Sequence, residues 1–159
     1  MQLTLFSDYS LRVLLYLTMH RQRRVTVTEI SSAYGISQHH VVKVVQRLIG
    51  KGLVESARGR GGGLLLAREP AQVNVGDVVR LTEPHMNLVE CFDPKTNTCP
   101  IDPVCGLKHA LVRAGEAFLN ELDRYTLADF APRAPALIKL WERQLGQPRH
   151  PEREQEGTI

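Results

Sequence analysis

Residues 26–51, TVTEISSAYGISQHHVVKVVQRLIGK, determine the fold of this chain. Thr26, followed three residues later by a Glu, fits the capping box that begins a helix. Gly35 supplies a backbone that can turn sharply, and Ser37 is the predicted N-cap of a second helix that ends at about Gly50. Two short helices joined by a glycine turn predict a helix-turn-helix, a motif whose second helix can enter the major groove of DNA.

The segments on either side complete a larger DNA-binding fold. Apolar residues at helical spacing predict an earlier helix from Leu3 to His20. Two strand-like segments, Leu53 to Ala57 and Gly63 to Ala67, flank the sequence RGRGG at 58–62 and predict a β-hairpin with a basic, glycine-rich tip. This glycine run lacks the Gly-Lys-Ser/Thr ending of a P-loop, so nucleotide binding is not expected. Residues 1–83 are therefore predicted to form a winged helix-turn-helix, mainly α-helical with a small β-hairpin wing.

The second helix of the motif and the hairpin tip carry side chains suited to DNA. Gln can bond adenine through two hydrogen bonds, Lys and Arg can bond guanine, and an Arg at a wing tip can enter a minor groove or bind phosphate. A solvated charged surface is the alternative interpretation. We expect the two adjacent histidines to face DNA or solvent and not to bind a metal. The predicted DNA-binding residues are Gln38, His39, His40, Lys43, Arg47, Lys51, Arg58 and Arg60.

The charge of the chain is unevenly distributed. Residues 1–80 carry 11 Lys/Arg against 5 Asp/Glu, a net charge of +6, whereas residues 81–159 carry 9 against 12, a net charge of −3. A basic first half beside a mildly acidic second half favours a nucleic-acid-binding surface joined to another function. The opening residues do not have the pattern of a signal peptide, and no apolar stretch reaches the roughly 20 residues that cross a bilayer. We therefore expect a cytoplasmic protein with no membrane partner.

The three cysteines of the chain lie close together in the sequence. Cys91, Cys99 and Cys105 fall within a loop predicted over residues 84–106, which is rich in Pro, Asp and Asn. An odd number of cysteines cannot form a closed disulfide framework. Thiolates grouped in this way suit a soft metal ion or an iron–sulfur cluster. The loop is therefore interpreted as the cluster-binding segment of a metal or redox sensor.

Two other interpretations of the cysteines remain open. The three thiols together with His109 would suit a tetrahedral zinc ion, which would make the chain a structural or metal-sensing DNA-binding protein. A cysteine nucleophile would make it an enzyme, but no His with an Asn or Asp can be located around any of the thiols. We therefore predict that the chain is not an enzyme.

The second half is predicted to be helical. A short helix is expected over Val75–Thr82, and a long one from Cys105 to Tyr125 within a dimerisation region at 104–130. A helix of that length has more apolar surface than one small core can cover, which favours a homodimer, whereas a core helix in a monomer is the alternative. Residues 131–145 are predicted to form a C-terminal helical segment, and residues 146–159 a disordered tail.

Taken together, several motifs resemble a known family. These are LTLFSDYSLR at 3–12, RGRGGG at 58–63, the three cysteines before a long helix, and ELDRYTLAD at 121–129. They are similar to those of the iron–sulfur winged-helix transcriptional regulators and, within that family, to its nitric-oxide-sensing repressors. The resemblance covers about residues 1–130.

This resemblance implies a specific function and a ligand set. It implies a homodimer that holds one [4Fe-4S] cluster per subunit, with [2Fe-2S] as the alternative, and that binds double-stranded operator DNA under the control of nitric oxide. In such proteins the three cysteines hold the cluster together with an aspartate of the first helix of the other subunit, which here corresponds to the partner subunit's Asp8. On the residues alone, Asp8 could instead be a carboxylate favoured by the helix dipole. Another branch of the family places a His where this chain has Lys108.

Overall fold

The computed structural model describes residues 2–146, which form six α-helices and one two-stranded antiparallel sheet. The predicted fold class, mainly α-helical with a small β-hairpin wing, is therefore confirmed. No helix within these residues is long and apolar enough to cross a bilayer. The elements are α1 (Leu5–Met19), α2 (Val27–Tyr34), α3 (Gln38–Gly50), β1 (Val54–Ala57), β2 (Gly63–Leu66), α4 (Val75–Thr82), α5 (Gly106–Leu122) and α6 (Ala134–Leu145).

The helix-turn-helix of α2 and α3 has the predicted turn. Gly35 ends α2 with a φ of 64°, in the left-handed region that favours glycine. The Ser37 hydroxyl accepts the backbone N–H of His40 at 3.3 Å and caps α3. The local sequence thus determines both the end of one helix and the beginning of the next.

Only half of the predicted capping box is present at the start of α2. The Thr26 hydroxyl accepts the backbone N–H of Glu29 at 3.1 Å, but the Glu29 carboxylate does not bond back to Thr26. It accepts the Tyr16 hydroxyl at 2.9 Å and the Arg23 guanidinium at 3.0 Å. The hydrogen bond from Arg23 lowers the pKa of Glu29, and burial raises the pKa of Tyr16. The Glu29 carboxylate therefore bonds to two side chains, one of them charged, and not to the backbone N–H of Thr26 that a complete capping box would use.

The first helix begins two residues later than predicted because Thr4 is its N-cap. The Thr4 hydroxyl accepts the backbone N–H of Ser7 at 3.2 Å. In turn, the backbone N–H and the hydroxyl of Thr4 both donate to the Glu83 carboxylate, at 2.8 and 2.9 Å. Since Glu83 follows α4, this contact joins the two ends of the winged domain.

The wing pairs β1 with β2 in the register Val54↔Leu66 to Ala57↔Gly63. Its base is joined to the loop before α2 by two backbone hydrogen bonds between Val25 and Leu64, of 3.0 and 2.8 Å. A Cβ at Gly63 would lie 2.9 Å from the Val25 carbonyl oxygen, so only glycine allows this close approach. The basic hairpin tip is thus held in a defined position beside the helix-turn-helix.

The long helix α5 is shorter than predicted and ends at Leu122. Asp123 is held by two hydrogen bonds of 2.6 Å from the Arg80 guanidinium, and the Tyr125 carbonyl accepts the backbone N–H of Val75 at 2.9 Å. Because these contacts hold Asp123 and Tyr125 against α4, the chain leaves the helical path after Leu122. No residue of α5 is buried within the chain.

The C-terminal segment differs from the prediction at its start. Leu127–Arg133 forms a 3₁₀ segment capped by Thr126 and Asp129, and α6 begins after it at Ala134. Trp141 of α6 is buried, with its ring 4.7 Å from that of Tyr16. Helix α6 thereby joins the core of the winged domain. The tail predicted for residues 146–159 lies outside the described residues except for Gly146.

We expect Trp141→Ala to destabilise the fold by about 3 to 5 kcal/mol, because it removes a large buried side chain from the aromatic cluster. The neighbouring Leu140 is exposed, so Leu140→Ala should change the free energy of unfolding by less than about 0.5 kcal/mol. Urea unfolding at one protein concentration measures both. Equal effects of the two variants would mean that α6 does not pack on the core.

Candidate DNA interface and cysteine loop

Helix α3 exposes most of the residues predicted to bind DNA. Its other side is buried in the core through Val41, Val44, Val45 and Leu48. This amphipathic arrangement holds the helix in place and leaves its polar side open to a ligand. The exposed residues of the predicted set on and just after α3 are Gln38, His39, Lys43, Arg47 and Lys51.

His40 departs from this pattern because it is half-buried. Its ring lies 5.9 Å from the ring of Tyr9 on α1. Since α3 packs on α1 at this point, His40 contributes to the packing between the two helices. Of the residues predicted to bind DNA, His40 is therefore the one whose side chain is least accessible to a ligand.

The Lys and Arg side chains predicted to bind DNA are not paired with carboxylates in the described part of the chain. Elsewhere in the described chain, cations such as Arg12, Arg80 and Lys108 form ion pairs. Unpaired cations on a recognition helix and its neighbouring wing are what phosphate binding requires, since each can neutralise a phosphate. Within residues 2–146, no ion pair involves Lys43, Arg47, Lys51, Arg58 or Arg60.

The sequence prediction missed one cation of this surface. Arg24 is exposed, and its guanidinium donates to the Gly63 carbonyl at 3.5 Å, at the base of the wing. Its neighbours Arg21 and Arg23 pair with Glu69 and Glu29. The basic run at 21–24 was the available signal, but the sequence does not show which of its members lies free beside the wing.

The three cysteines are free and half-buried, and each has a defined backbone setting. Cys91 lies in the 3₁₀ turn Glu90–Phe92, and the Cys99 N–H donates to the Asn97 side chain at 3.0 Å. Cys105 is the N-cap of α5, where its sulfur accepts the backbone N–H of Lys108 at 3.4 Å. A helix N-terminus favours negative charge, which suits a thiolate ligand at this position.

A carboxylate closes the loop between the first two cysteines. The backbone N–H and the hydroxyl of Thr98 both donate to one Glu90 oxygen, each at 2.7 Å. Glu90 precedes Cys91 and Thr98 precedes Cys99, so these bonds bring the two cysteine-bearing segments together. Both hydrogen bonds from Thr98 lower the pKa of Glu90, and the bond from its hydroxyl has the larger effect. The loop is therefore closed by an ionised carboxylate at neutral pH.

An ion pair joins the segment between Cys99 and Cys105 to α5. The Lys108 ammonium is 2.6 Å from the Asp102 carboxylate, which raises the pKa of Lys108. The backbone N–H of the same Lys108 donates to the Cys105 sulfur, so this ion pair lies at the N-terminus of α5 beside the third cysteine.

The structure does not assemble either predicted ligand set within a single chain. Among residues 2–146, no three His, Cys, Asp or Glu side chains are arranged to hold a metal ion. His109, the fourth ligand of the zinc alternative, is exposed. Asp8 lies in the first turn of α1, where its carboxylate pairs with Arg12 at 2.6 Å. The three thiols are the right donors for iron, but ligation would require them to converge around the group.

Comparison with known proteins identifies relatives over most of the chain. The model of the Rrf2 family, described as an iron-dependent transcriptional regulator, matches residues 3–133. The HTH-type transcriptional regulator NsrR of Bacillus subtilis is 48% identical over 141 residues, covering 88% of this chain and 97% of that protein. The protein of the same name from Geobacillus kaustophilus is 44% identical over 147 residues, covering 92% of this chain and all of that protein. The predicted family resemblance is confirmed.

Solved structures show the same fold. T. potens IscR has a TM-score of 0.65 at 24% identity, covering 93% of this chain and 94% of that one. CymR, the global cysteine regulator of B. subtilis, has a TM-score of 0.67 at 24% identity, covering 83% of this chain and 97% of that one. Both likenesses bear on the fold alone.

We expect Glu90→Ala to open the loop between Cys91 and Cys99, because it removes the acceptor of both Thr98 hydrogen bonds. Trypsin cleavage after Lys95, followed by mass spectrometry at neutral pH, should become several-fold faster. Glu116→Ala, which removes an exposed carboxylate from α5, should leave that rate unchanged.

The closure should also depend on pH with a defined sign. Since the pKa of Glu90 is lowered in the folded chain, the stability that its carboxylate gives to the closed loop is fully present at a pH above the ordinary pKa of a carboxyl group. This stability is lost as the pH falls through the lowered pKa. Identical cleavage rates in wild type and Glu90→Ala at neutral pH would show that these hydrogen bonds do not hold the loop.

Proposed function

The chain belongs to the Rrf2 family of iron-dependent transcriptional regulators, and we propose that it is a homodimeric repressor whose operator binding is controlled by a nitric-oxide-sensitive iron–sulfur cluster. The observation that carries this proposal is the grouping of three free thiols in one loop directly before α5. The relatives named NsrR support it, since they match this chain over nearly their whole length.

DNA binding would use the polar side of α3 and the wing. Arg58 and Arg60 at the hairpin tip would bind phosphate or a minor groove, with little dependence on sequence. Gln38, Lys43 and Arg47 would enter the major groove and read the edges of the bases. We infer a cytoplasmic location because a regulator of this kind acts on chromosomal operators.

A second copy of the chain would cover the apolar surface around α5. Ile101, Val104 and Leu107 are 57%, 86% and 67% exposed, although all three are large apolar residues next to the cysteine loop. With no residue of α5 buried in the single chain, pairing of two copies would remove this surface from water. The dimer would also present two recognition helices to a palindromic operator.

The cluster would be held by Cys91, Cys99 and Cys105 and by the partner subunit's Asp8. Three thiolates leave one iron site to be filled, and a carboxylate is a harder and weaker ligand for iron than a thiolate. The proposed group is [4Fe-4S], one per subunit, with [2Fe-2S] as the alternative. When bound, it would supply iron to which nitric oxide binds readily. The chain's own part is to hold the thiols through the closed loop and the α5 N-terminus.

Replacing any one of Cys91, Cys99 and Cys105 by Ser should abolish or severely reduce cluster retention, because each supplies a thiolate that the remaining ligands cannot replace. Anaerobic purification followed by a visible spectrum and iron and sulfide analysis measures this. Circular dichroism serves as the control for folding. Three single variants with normal spectra and iron content would overturn the ligand assignment.

Asp8→Ala should change the visible spectrum or the lifetime of the cluster while folding and dimerisation remain intact. Arg12→Ala is the matched control, because it breaks the same ion pair but keeps the carboxylate. If Asp8 is a ligand, only the first variant should alter the spectrum. Equal effects of both variants would assign the change to the lost ion pair.

Arg58→Ala and Arg60→Ala should weaken operator binding to a similar degree on all sequences. Each lost phosphate contact should also reduce the slope of log affinity against log salt by about 0.9. Alanine at Gln38, Lys43 or Arg47 should instead cost about 1 to 3 kcal/mol of discrimination at a particular base pair.

Arg124→Ala is the control for these substitutions, because this exposed cation lies after α5 and pairs with Glu121. It should change neither affinity nor salt slope. Wing variants that behave like Arg124→Ala would remove the wing from the DNA interface.

A further inference from the structure

One exposed residue in the middle of the polar side of α3 has no polar group. Val42 is 38% exposed, whereas Val41, Val44 and Val45 on the same helix are buried. Gln38 and Gln46, one turn before and one turn after it, are both exposed and lie on the same side. Val42 therefore lies between two amide side chains and points away from the core.

The stability of the helix does not explain a valine at this position. Valine is a poorer helix former than alanine because its branched side chain loses freedom in a helix. It also has no donor or acceptor with which to bond a phosphate or the polar edge of a base.

A recognition helix offers one partner for such a side chain. In helix-turn-helix proteins, residues in the N-terminal part of the recognition helix contact the base edges, and Val42 is the fifth residue of α3. Of the groups that bases present in the major groove, the C5 methyl of thymine is the apolar one, and apolar side chains contact it.

We infer that Val42 is a specificity-determining residue that contacts the C5 methyl group of a thymine in each operator half-site. This inference rests on the proposed DNA-binding function and deepens it. It assigns the apolar part of base reading to Val42 and leaves hydrogen bonding to its polar neighbours on α3.

The test replaces single thymines by deoxyuridine, which removes only the C5 methyl. A duplex is first selected from a random-sequence library with the full-length protein purified anaerobically. For the wild type, uracil at the contacted thymine of one half-site should weaken binding about 4-fold, the change expected for burial of one methyl group, and uracil in both half-sites should weaken it about 15-fold. Val42→Ala changes both subunits, so it should bind the thymine duplex about as weakly as the wild type binds the duplex with uracil in both half-sites, and it should not respond to uracil at that position.

Ile49→Ala is the matched control, since Ile49 is the other exposed large apolar residue of α3 and lies two turns further along. This variant should keep the wild-type response to uracil. Alanine at position 42 favours the helix, and circular dichroism checks that the variant folds.

The outcomes separate this inference from the proposal on which it rests. A Val42→Ala protein that responds to uracil at every position as the wild type does would overturn the inference alone. Failure of the wild-type protein to enrich any duplex would overturn the DNA-binding proposal and the inference with it.

Discussion

The structure depends on the burial of α1 among the other elements. Val13, Leu14 and Leu17 are almost completely inaccessible to water, and α1 packs against α3, α4, β2 and the segment Leu127–Arg133. Fully burying side chains of this kind contributes about 1.5 to 3 kcal/mol each. Because the core is closely packed, α1 cannot shift without a response from α3. The helix that carries Asp8 is thus in contact with the helix proposed to read DNA.

Two polar contacts connect this core with the segments around the cysteines. Glu83, just before the cysteine loop, accepts both hydrogen bonds from Thr4 at the start of α1. Arg80 of α4 holds Asp123 at the end of α5 through two bonds of 2.6 Å. The loop and the helix that follows it are therefore connected at both ends to the winged domain. We propose that ligation of the three thiols acts on DNA binding through these connections.

The elements of the fold with local signals could be predicted from the sequence. The turn at Gly35, the cap at Ser37 and the bounds of α4 follow from residues that lie within a few positions of each other. The early end of α5 could not be predicted, because it depends on contacts between Asp123 and a residue 43 positions earlier. For the same reason the sequence did not indicate that Glu29 bonds to Arg23 and Tyr16, or that His40 packs on α1. The spacing of the cysteines indicates a metal or cluster site. The closure of the loop between Cys91 and Cys99 by Glu90 and Thr98 is visible only in the structure, because it joins side chains eight positions apart.

Operator affinity of the cluster-bound, nitric-oxide-treated and cluster-free protein, all measured without oxygen, tests the proposed control of DNA binding most directly. A change of occupancy from 99:1 to 1:99 requires an affinity difference of about 10⁴-fold, or about 5.5 kcal/mol. Misplacing the recognition helices can supply it if several base contacts of about 1 to 3 kcal/mol each are lost. We expect tight binding by the cluster-bound protein and a loss approaching this size in the other two states. Equal affinity in all three states would contradict the proposed sensing function.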